Sequence, residues 1–460
     1  MPTGKNLLTG NIFHALIRLS LPIMGSSFLH MTYHLVDMIW IGFLGSDALA
    51  AVGVAGYFMM FSMALIRLVQ VGTEVNIAQA LGGKQEERAR SFAVNALRLA
   101  VFIAFLYGLM LILFNRSFIG FFNIQNAWVE AEAGNYLFLM ALGMIFFFLN
   151  PVITCIYNGS GSSKAPFQVN AIGMAANMLL DPLFIFGLNL GIRGAAIATL
   201  LSQILVTVIL IRLLLTNRPF PDFRFQSKLK IVFVTEILQL GAPVALQTGL
   251  FSVFSILLAR IVAGYGPEAI AAQKIGVQIE SISYMTANGF AVALSAFTGQ
   301  NNGASQPERI RRGIVTAGII MVFFGLLTSA ALYIFARPLF MVFIREPDTV
   351  AIGTRYLQIL ALSQLFMCLE ISLAGGFNGL GKTLVPAMIG VLFTGLRVPA
   401  ALWLAQESRL GLEGVWWTMT GTSWIKGLLM VSMIMLLLRQ LKAEPSHPQS
   451  LKSFCSHTRN

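Results

Sequence analysis

The sequence predicts an all-α integral membrane protein, with twelve transmembrane helices in two six-helix bundles that repeat one another in parallel around a central cleft. Three observations support this fold class. Apolar side chains make up 57% of the 460 residues and charged ones only 11%, with a mean hydropathy of +0.77. Apolar segments of about twenty residues or more recur along the chain, each long enough to cross a bilayer. Motifs of the first half return in the second half at a nearly constant spacing.

The composition excludes an ordinary soluble domain, in which about 25% of residues carry charge. Only helices and closed barrels cross a bilayer, and these uniform apolar runs lack the alternation of barrel strands. The first apolar run is too long for a cleaved signal peptide and contains Pro22 and Asp37. The predicted spans are 14–41, 49–80, 93–114, 133–157, 167–189, 193–215, 235–262, 270–300, 314–336, 353–378, 385–406 and 415–440.

The net charge of +12 follows from topology. Lys and Arg concentrate in loops that share one side of the membrane if both termini lie on that side: 84–90, 218–230, 309–312 and 439–442. The positive-inside rule makes this side the cytoplasm. We therefore predict a multi-pass protein of a bacterial or archaeal cytoplasmic membrane, surrounded by lipid, with both termini inside, no nucleic-acid partner and a monomeric state.

The internal repeat is the most informative feature of the chain. Leu19-Ser-Leu-Pro22 returns as Leu240-Gly-Ala-Pro243, an offset of 221 residues, and Asn158-Gly-Ser-Gly161 returns as Asn378-Gly-Leu-Gly381, an offset of 220. Six spans per half, an even number, make the two halves parallel, as in one class of secondary transporters. The predicted parts are an amino-terminal lobe, a cytoplasmic linker, a carboxyl-terminal lobe and a disordered tail, at 1–215, 216–234, 235–442 and 443–460.

Polar residues within the apolar spans mark the candidate site, because an ionisable group near mid-membrane costs at least about 2.5–3.5 kcal/mol. Asp37 lies in span one, and Asn177 and Asp181 lie four residues apart in span five, where Asp181-Pro182 interrupts the helix. Thr199 in span six and Tyr136 in span four add hydroxyl groups. Oxygen-rich groups of this kind suit a hard cation or a proton. Asn177 and Thr199 have a structural alternative, because polar residues often bridge neighbouring helices.

Span one carries three further features. His30 and His34 share a face with Asp37, either as substrate or relay groups or as interhelical hydrogen-bonding groups. Tyr33, four residues before Asp37, is placed to hydrogen-bond it. Pro22 frees a backbone carbonyl and permits a hinge or a static kink.

The second half does not duplicate these residues, since Leu258, Arg397 and Ala401 stand where Asp37, Asn177 and Asp181 stand in the first. It carries other charged residues inside predicted spans: Arg260, Lys274, Glu280, Glu370 and Arg397. Glu280 and Glu370 either attract a cationic substrate or neutralise Lys274 or Arg397.

One short motif points elsewhere. Gly376-Phe-Asn-Gly-Leu-Gly-Lys-Thr383 satisfies the phosphate-loop pattern, but that loop requires a preceding β-strand. We interpret it as the glycine-rich end of a membrane helix, and no cofactor is expected.

Several segments together resemble the multidrug and toxic compound extrusion (MATE) family over about residues 10–440. They are Leu21-Pro22, Val36-Asp-Met-Ile-Trp-Ile-Gly42, Gln79-Ala-Leu-Gly82, Asn158-Gly-Ser-Gly161, Asn177-Met-Leu-Leu-Asp-Pro182, Gly194-Ala-Ala-Ile-Ala-Thr199 and Asn378-Gly-Leu-Gly381. The resemblance implies export of amphipathic organic cations by H⁺ or Na⁺ antiport. It implies that Asp37 is the coupling carboxylate, joined by Asn177, Asp181 and Thr199, with Tyr136 close by and Pro22 in the bending of span one.

This sequence departs from one branch of the family at a position in span seven. Members of the NorM-like branch carry an acidic residue in span seven, and none stands between Gln247 and Arg260 here. The ion-site pattern is therefore interpreted as DinF-like rather than NorM-like. Two alternatives stay open: a lipid-linked oligosaccharide flippase of the same superfamily, and, from another class, an integral membrane enzyme, for which no nucleophile or metal cluster is found in the sequence.

Overall fold

The computed structural model describes residues 5–122, 124, 126–216, 230–406 and 408–443, and within them the chain is helical without any strand. The amino half contains α1 (Lys5–Leu8), α2 (Ile12–Gly42), α3 (Ser46–Gly82), α4 (Glu86–Leu113), α5 (Asn115–Gly120), α6 (Ala127–Leu142), α7 (Met144–Gly159), α8 (Lys164–Pro182) and α9 (Gly191–Thr216), with a π-helical turn at Leu183–Gly187. The carboxyl half contains α10 (Ile231–Ala263), α11 (Pro267–Gly303), α12 (Pro307–Ile334), α13 (Ala336–Met341), α14 (Pro347–Ala361), α15 (Gln364–Gly379), α16 (Leu384–Leu404) and α17 (Leu412–Ala443). The predicted tail beyond residue 443 and most of the predicted linker lie outside the described residues.

The membrane-spanning helices follow the predicted spans closely. Among the described residues, nine helices are long and apolar enough to cross a bilayer, and two bent pairs raise the number to eleven. The twelfth predicted span is α11, whose 37 residues extend about 55 Å at 1.5 Å per residue. Its polar residues, among them Lys274 and Glu280, lower its hydropathy without shortening it. All twelve predicted spans thus fall on helices.

Two spans differ from the prediction because each is broken into a pair of helices. The span predicted at 133–157 is α6 followed by α7, bent by 49°, and the span predicted at 353–378 is α14 followed by α15, bent by 54°. Uniform apolar character conceals such bends, since a bent span and a straight one bury the same kinds of side chain.

The repeat extends to the conformation of the turns. Four turns of the amino half share a residue of positive φ with four turns of the carboxyl half, at equivalent positions 220 or 221 residues later. The pairs are Gly45 and Gly266, Lys84 and Ser305, Gly161 and Gly381, and Gly191 and Gly411. Positive φ is uncommon outside glycine. Lys84 and Ser305 both have positive φ although neither is glycine, which indicates that the two halves have the same backbone conformation at this turn.

The described chain divides into two compact units. The first contains Arg18–Ile77 and Glu86–Val253, and the second contains Gly4–Ile17, Ala78–Gln85 and the residues from Phe254 onward. Each unit therefore takes some residues from both sequence repeats, whereas the lobe limits predicted above follow the repeat alone and stay a prediction.

Within the first unit, α3 and α10 cross backbone to backbone. A Cβ atom added to Gly241 would lie 1.8 Å from the carbonyl oxygen of Leu68, and one added to Gly72 would lie 2.0 Å from that of Ile237. Only glycine allows this approach, which is a common way for membrane helices to gain packing energy.

Within the second unit, Arg309 at the start of α12 anchors the segment around α1. Its guanidinium donates to the carbonyl oxygens of Leu7 (3.0 Å), Thr9 (2.9 Å) and Gly10 (2.9 Å). Asn301 donates a further hydrogen bond to Leu7 (3.2 Å). The planar fork of arginine suits such multiple contacts, whereas lysine offers a single point charge.

Replacing Arg309 with Lys is expected to loosen residues 7–10, because the three N–H donors of one ammonium nitrogen cannot match carbonyl oxygens that three separate guanidinium nitrogens reach. Hydrogen bonds to charged groups contribute about 1.5–3 kcal/mol, so amide exchange in this segment should accelerate about tenfold or more. Hydrogen exchange read by mass spectrometry measures this rate. Arg311→Lys, on the same turn but paired with the exposed Glu308, is the matched control. Equal exchange in both variants would contradict the anchoring role.

Candidate ion-binding site

Helix α2 is held along its length by elements of the same unit. Ser163 donates a hydrogen bond to the carbonyl oxygen of Leu19 (2.8 Å). The ring of Phe167 packs so closely on Gly25 that an added Cβ would lie 2.6 Å from it. Farther along, Tyr33 donates to the hydroxyl of Thr199 (2.9 Å). Pro22 lies inside α2 without ending it, and its role as a hinge stays a prediction.

The end of α8 supplies the second carboxylate. Asn177 donates through Nδ2 to Oδ1 of Asp181 at 3.0 Å, and both side chains are fully buried. The α-helix ends at Pro182, as the Asp-Pro pair predicts, because proline lacks the N–H that continues the ladder. The π-helical turn Leu183–Gly187 follows directly. Turns of this kind often accompany functional sites.

Tyr33 binds a different partner from the one that the sequence indicated. The i, i+4 spacing places Tyr33 beside Asp37 on α2, yet the phenol donates to Thr199 on α9. The reason is geometric, because the hydroxyl lies at the far end of a rigid ring and reaches past its own helix to the next. Asp37 is left with Oδ1 buried and without a hydrogen-bond partner among the described residues.

These residues form the amino-half site, defined as Asp37, Tyr136, Asn177, Asp181 and Thr199. Electrostatic interactions connect Asp37 with Asp181, and Tyr136 with both. Three buried oxygens have no hydrogen-bond donor in the described part of the chain: Asp37 Oδ1, Asn177 Oδ1 and Asp181 Oδ2. Buried acceptors and unpaired carboxylates are costly, so the arrangement can bind a proton or a small cation.

The two histidines lie beside this site rather than within its buried part. The rings of His30 and His34 contact each other edge to face, with centroids 4.7 Å apart, and His34 lies 5.2 Å from the ring of Tyr33. Both histidines are exposed. Their role as substrate or relay groups stays a prediction.

The predicted carboxyl-half acids have partners that sequence reasoning missed. Glu280 accepts hydrogen bonds from Tyr356 (2.8 Å) and Gln364 (2.7 Å). Glu370 forms an ion pair with Lys426 at 2.9 Å, instead of pairing with Lys274, which is exposed. The sequence feature that could have revealed this ion pair is Lys426, a lysine in the middle of the last apolar span.

The phosphate-loop match lies in a turn between two helices. Helix α15 ends at Gly379, α16 begins at Leu384, and Gly381 between them has φ +76°. The amide of Lys382 donates to the carbonyl oxygen of Phe377 (2.9 Å), which is a helix C-terminal cap. The element before the motif is thus a helix rather than the strand that a phosphate loop requires.

A double-mutant cycle tests the link between α2 and α9. Tyr33→Phe and Thr199→Val each remove one hydroxyl of the 2.9 Å hydrogen bond. We expect a coupling free energy of about 1 kcal/mol in the apparent free energy of unfolding, the usual net value of a hydrogen bond. Purely additive effects would show that the two hydroxyls act independently.

Comparisons with known proteins agree with one another. The family model described as MatE matches twice, over residues 22–183 and 243–403. The chain is 29% identical to the probable multidrug resistance protein NorM of Thermotoga maritima, over 87% of each chain. It is 27% identical to the probable multidrug resistance protein YoeA of Bacillus subtilis, over 86% of this chain and 87% of that one.

A solved structure shares the fold. It is described as the outward-facing conformation of a multidrug resistance MATE family transporter of the MOP superfamily. The TM-score is 0.90 at 23% identity, over 96% of this chain and 99% of that one.

Proposed function

Because the chain belongs to the MATE family of membrane transporters, we propose that it is a secondary active exporter that moves amphipathic organic cations out of the cell in exchange for H⁺ or Na⁺. The relatives named above are described as multidrug resistance proteins, which supports export as the reaction. The coupling ion and the substrate class form part of the proposal.

The observation that carries the proposal is the charge of the amino-half site. Asp37 and Asp181 interact electrostatically while both are buried, and no basic side chain of the described chain is paired with either. Two neighbouring carboxylates in a dry environment cannot both stay charged without a counter-charge. A bound proton or cation provides that charge.

Each residue has a distinct role in this proposal. Asp37 carries the charge that changes on ion binding, and Asp181 supplies the second carboxylate. The amide oxygen of Asn177 is a neutral ligand, Thr199 connects the site to α2 through Tyr33, and Tyr136 adds a buried hydroxyl group. Pro22 is proposed as the hinge of α2, because its missing N–H weakens the ladder there.

Coupling arises from differential ion affinity. If one conformation binds the ion more tightly than the other, ion binding shifts the equilibrium by that difference and no more. By the same linkage, the substrate must favour the conformation that the ion disfavours. Alternating access driven in this way needs no nucleotide or other cofactor.

The setting completes the proposal. We propose a monomer in a prokaryotic cytoplasmic membrane with both termini inside, as the placement of Lys and Arg favours. The ion site is assigned to the amino half, as in the DinF-like pattern.

Purified protein in liposomes tests the function directly. Flux of an organic cation dye is measured under a pH gradient alone and under a sodium gradient alone. Uphill dye movement under one gradient supports antiport and identifies the ion. Absence of gradient-driven flux, together with movement of a lipid-linked oligosaccharide between leaflets, would replace the proposal with a flippase.

A further inference from the structure

The carboxyl half contains a buried ion pair with no assigned role. Glu370 on α15 and Lys426 on α17 lie 2.9 Å apart, with side chains 10% and 9% exposed. Burying two charges costs more than their attraction usually returns, so such a pair is weak evidence for stability. A reason other than stability is needed to explain it.

The amino half shows that the fold does not require this pair. At the equivalent positions, 220 residues earlier, stand Asn150 on α7 and Val206 on α9. There Asn150 donates to the side chain of Gln203 at 2.6 Å, and α7 still packs against α9 as α15 packs against α17. Neutral groups therefore suffice to join the equivalent helices of the amino half.

The two halves also differ in how their buried charges are balanced. The amino-half site contains two carboxylates, Asp37 and Asp181, and no basic group. The carboxyl half contains a charged cluster with two carboxylates and two basic groups: Glu280, Glu370, Arg397 and Lys426. Electrostatic interactions connect Arg397 with both carboxylates and Lys426 with Glu370. The charged cluster is thus neutral without any bound ion.

Arg397 also places a positive charge of the chain where the amino half has a neutral residue of its candidate ion site. It occupies the position of Asn177, and Ala401 occupies that of Asp181. Its guanidinium donates to the hydroxyls of Thr422 (2.7 Å) and Ser423 (2.9 Å) on α17. In the carboxyl half, two hydroxyl oxygens of the last helix therefore bind a cation that belongs to the chain.

We propose that Glu370 is the anionic group of a latent cation site, and that the ammonium of Lys426 permanently occupies this site as a tethered cation. The pair keeps the carboxyl half neutral, so that it binds no coupling ion. Ion binding is thereby confined to the amino half. This inference rests on the proposed function only in taking the amino-half site as the ion-responsive one.

The charged groups that interact with Glu370 are Arg397 on α16 and Lys426 on α17. Glu280 on α11 interacts with Arg397 and accepts a hydrogen bond from Tyr356 on α14. Helix α12 carries no titratable side chain between Arg312 and Tyr333, and α15 itself contributes only Cys368. Removing Lys426 leaves one carboxylate of the cluster without its counter-charge.

The test measures the thermal unfolding midpoint of purified protein against sodium concentration, with choline keeping the ionic strength constant, and against pH. Asp37→Asn provides a background in which the amino-half response is weakened, with Asp181 still present. The test variant is Asp37→Asn with Lys426→Met, and the matched control is Asp37→Asn with Lys274→Met, which removes an exposed lysine. If the Met variant does not fold, Lys426→Gln, which keeps a hydrogen-bond donor near Glu370, replaces it.

We expect the test variant to have a lower midpoint that sodium or a lower pH restores, rising with the logarithm of sodium as linked binding requires. Adding Glu370→Gln should reduce the response to that of the Lys274 control, whose remaining dependence on sodium and pH comes from other groups such as Asp181. A midpoint of the test variant that depends on sodium and pH no more than that of the Lys274 control would overturn the latent site. A wild type that responds no more than Asp37→Asn would count against the proposed function instead, and the two failures are thus distinguishable.

Discussion

Uphill export of an organic cation is expected to be lost in Asp37→Asn. The asparagine keeps the size of the side chain and most of its hydrogen bonding but can neither carry charge nor exchange a proton. Coupling between two ligands is typically about 1–3 kcal/mol, so the accumulation ratio should fall about tenfold or more. Equilibrium binding of the drug should persist. The measurement is drug accumulation against a gradient in proteoliposomes, with drug binding assayed in parallel.

Leu258→Asn is the control for this variant. Leu258 is the repeat equivalent of Asp37 and is equally buried, at 5% exposed against 8%. An asparagine there introduces the same side chain at the matching depth, without removing a carboxylate. It should reduce stability and leave coupling in place. Full uphill transport by Asp37→Asn would refute the assignment of coupling to the amino half.

Gly241→Ala is expected to disrupt the first unit. The new Cβ atom would lie 1.8 Å from the carbonyl oxygen of Leu68, so α3 and α10 must separate. Overpacking usually costs about 1–3 kcal/mol and sometimes more, and a backbone oxygen cannot move aside as a side chain can. We expect a loss of about 3 kcal/mol or more, seen as a lower unfolding midpoint and a smaller monodisperse fraction.

Gly249→Ala on the same helix is its control. A Cβ there would meet only the side chain of Ala64, at 3.9 Å. Alanine is also the better helix former by about 1 kcal/mol, so this variant should be neutral or stabilised. Equal midpoints for Gly241→Ala and Gly249→Ala would show that the helix crossing is less tight than the distance indicates.

The fold could be predicted from the sequence because the features that indicate it lie in short continuous segments of the chain. Apolar runs define spans, and motifs such as Leu19-Ser-Leu-Pro22 repeat visibly. The carboxylate pair was accessible for the same reason, since Asp37 and Asp181 stand out against an apolar background. The bend between α6 and α7 was not, because both sides of it carry the same apolar composition.

Side-chain contacts between different helices were the feature that the sequence predicted least well. The Tyr33 hydroxyl reaches Thr199 rather than Asp37, which depends on the distance between α2 and α9 and not on spacing within α2. The pair of Glu370 and Lys426 joins residues 56 positions apart. A single sequence shows which residues share a face of one helix. It does not show which residues of two helices come within hydrogen-bond distance of each other.

The division into units has a consequence for biogenesis. Residues 231–253 of α10 open the second repeat but belong to the first unit, where Gly241 meets Leu68. When the ribosome has released only the amino half, that unit still lacks a whole packing face. We therefore expect the inserted helices of the first unit to complete their packing only after α10 has entered the bilayer. A gene split between Thr216 and Lys230 would yield an amino fragment that needs its carboxyl partner to mature, and proteolytic quality control would act on that fragment when it is made alone.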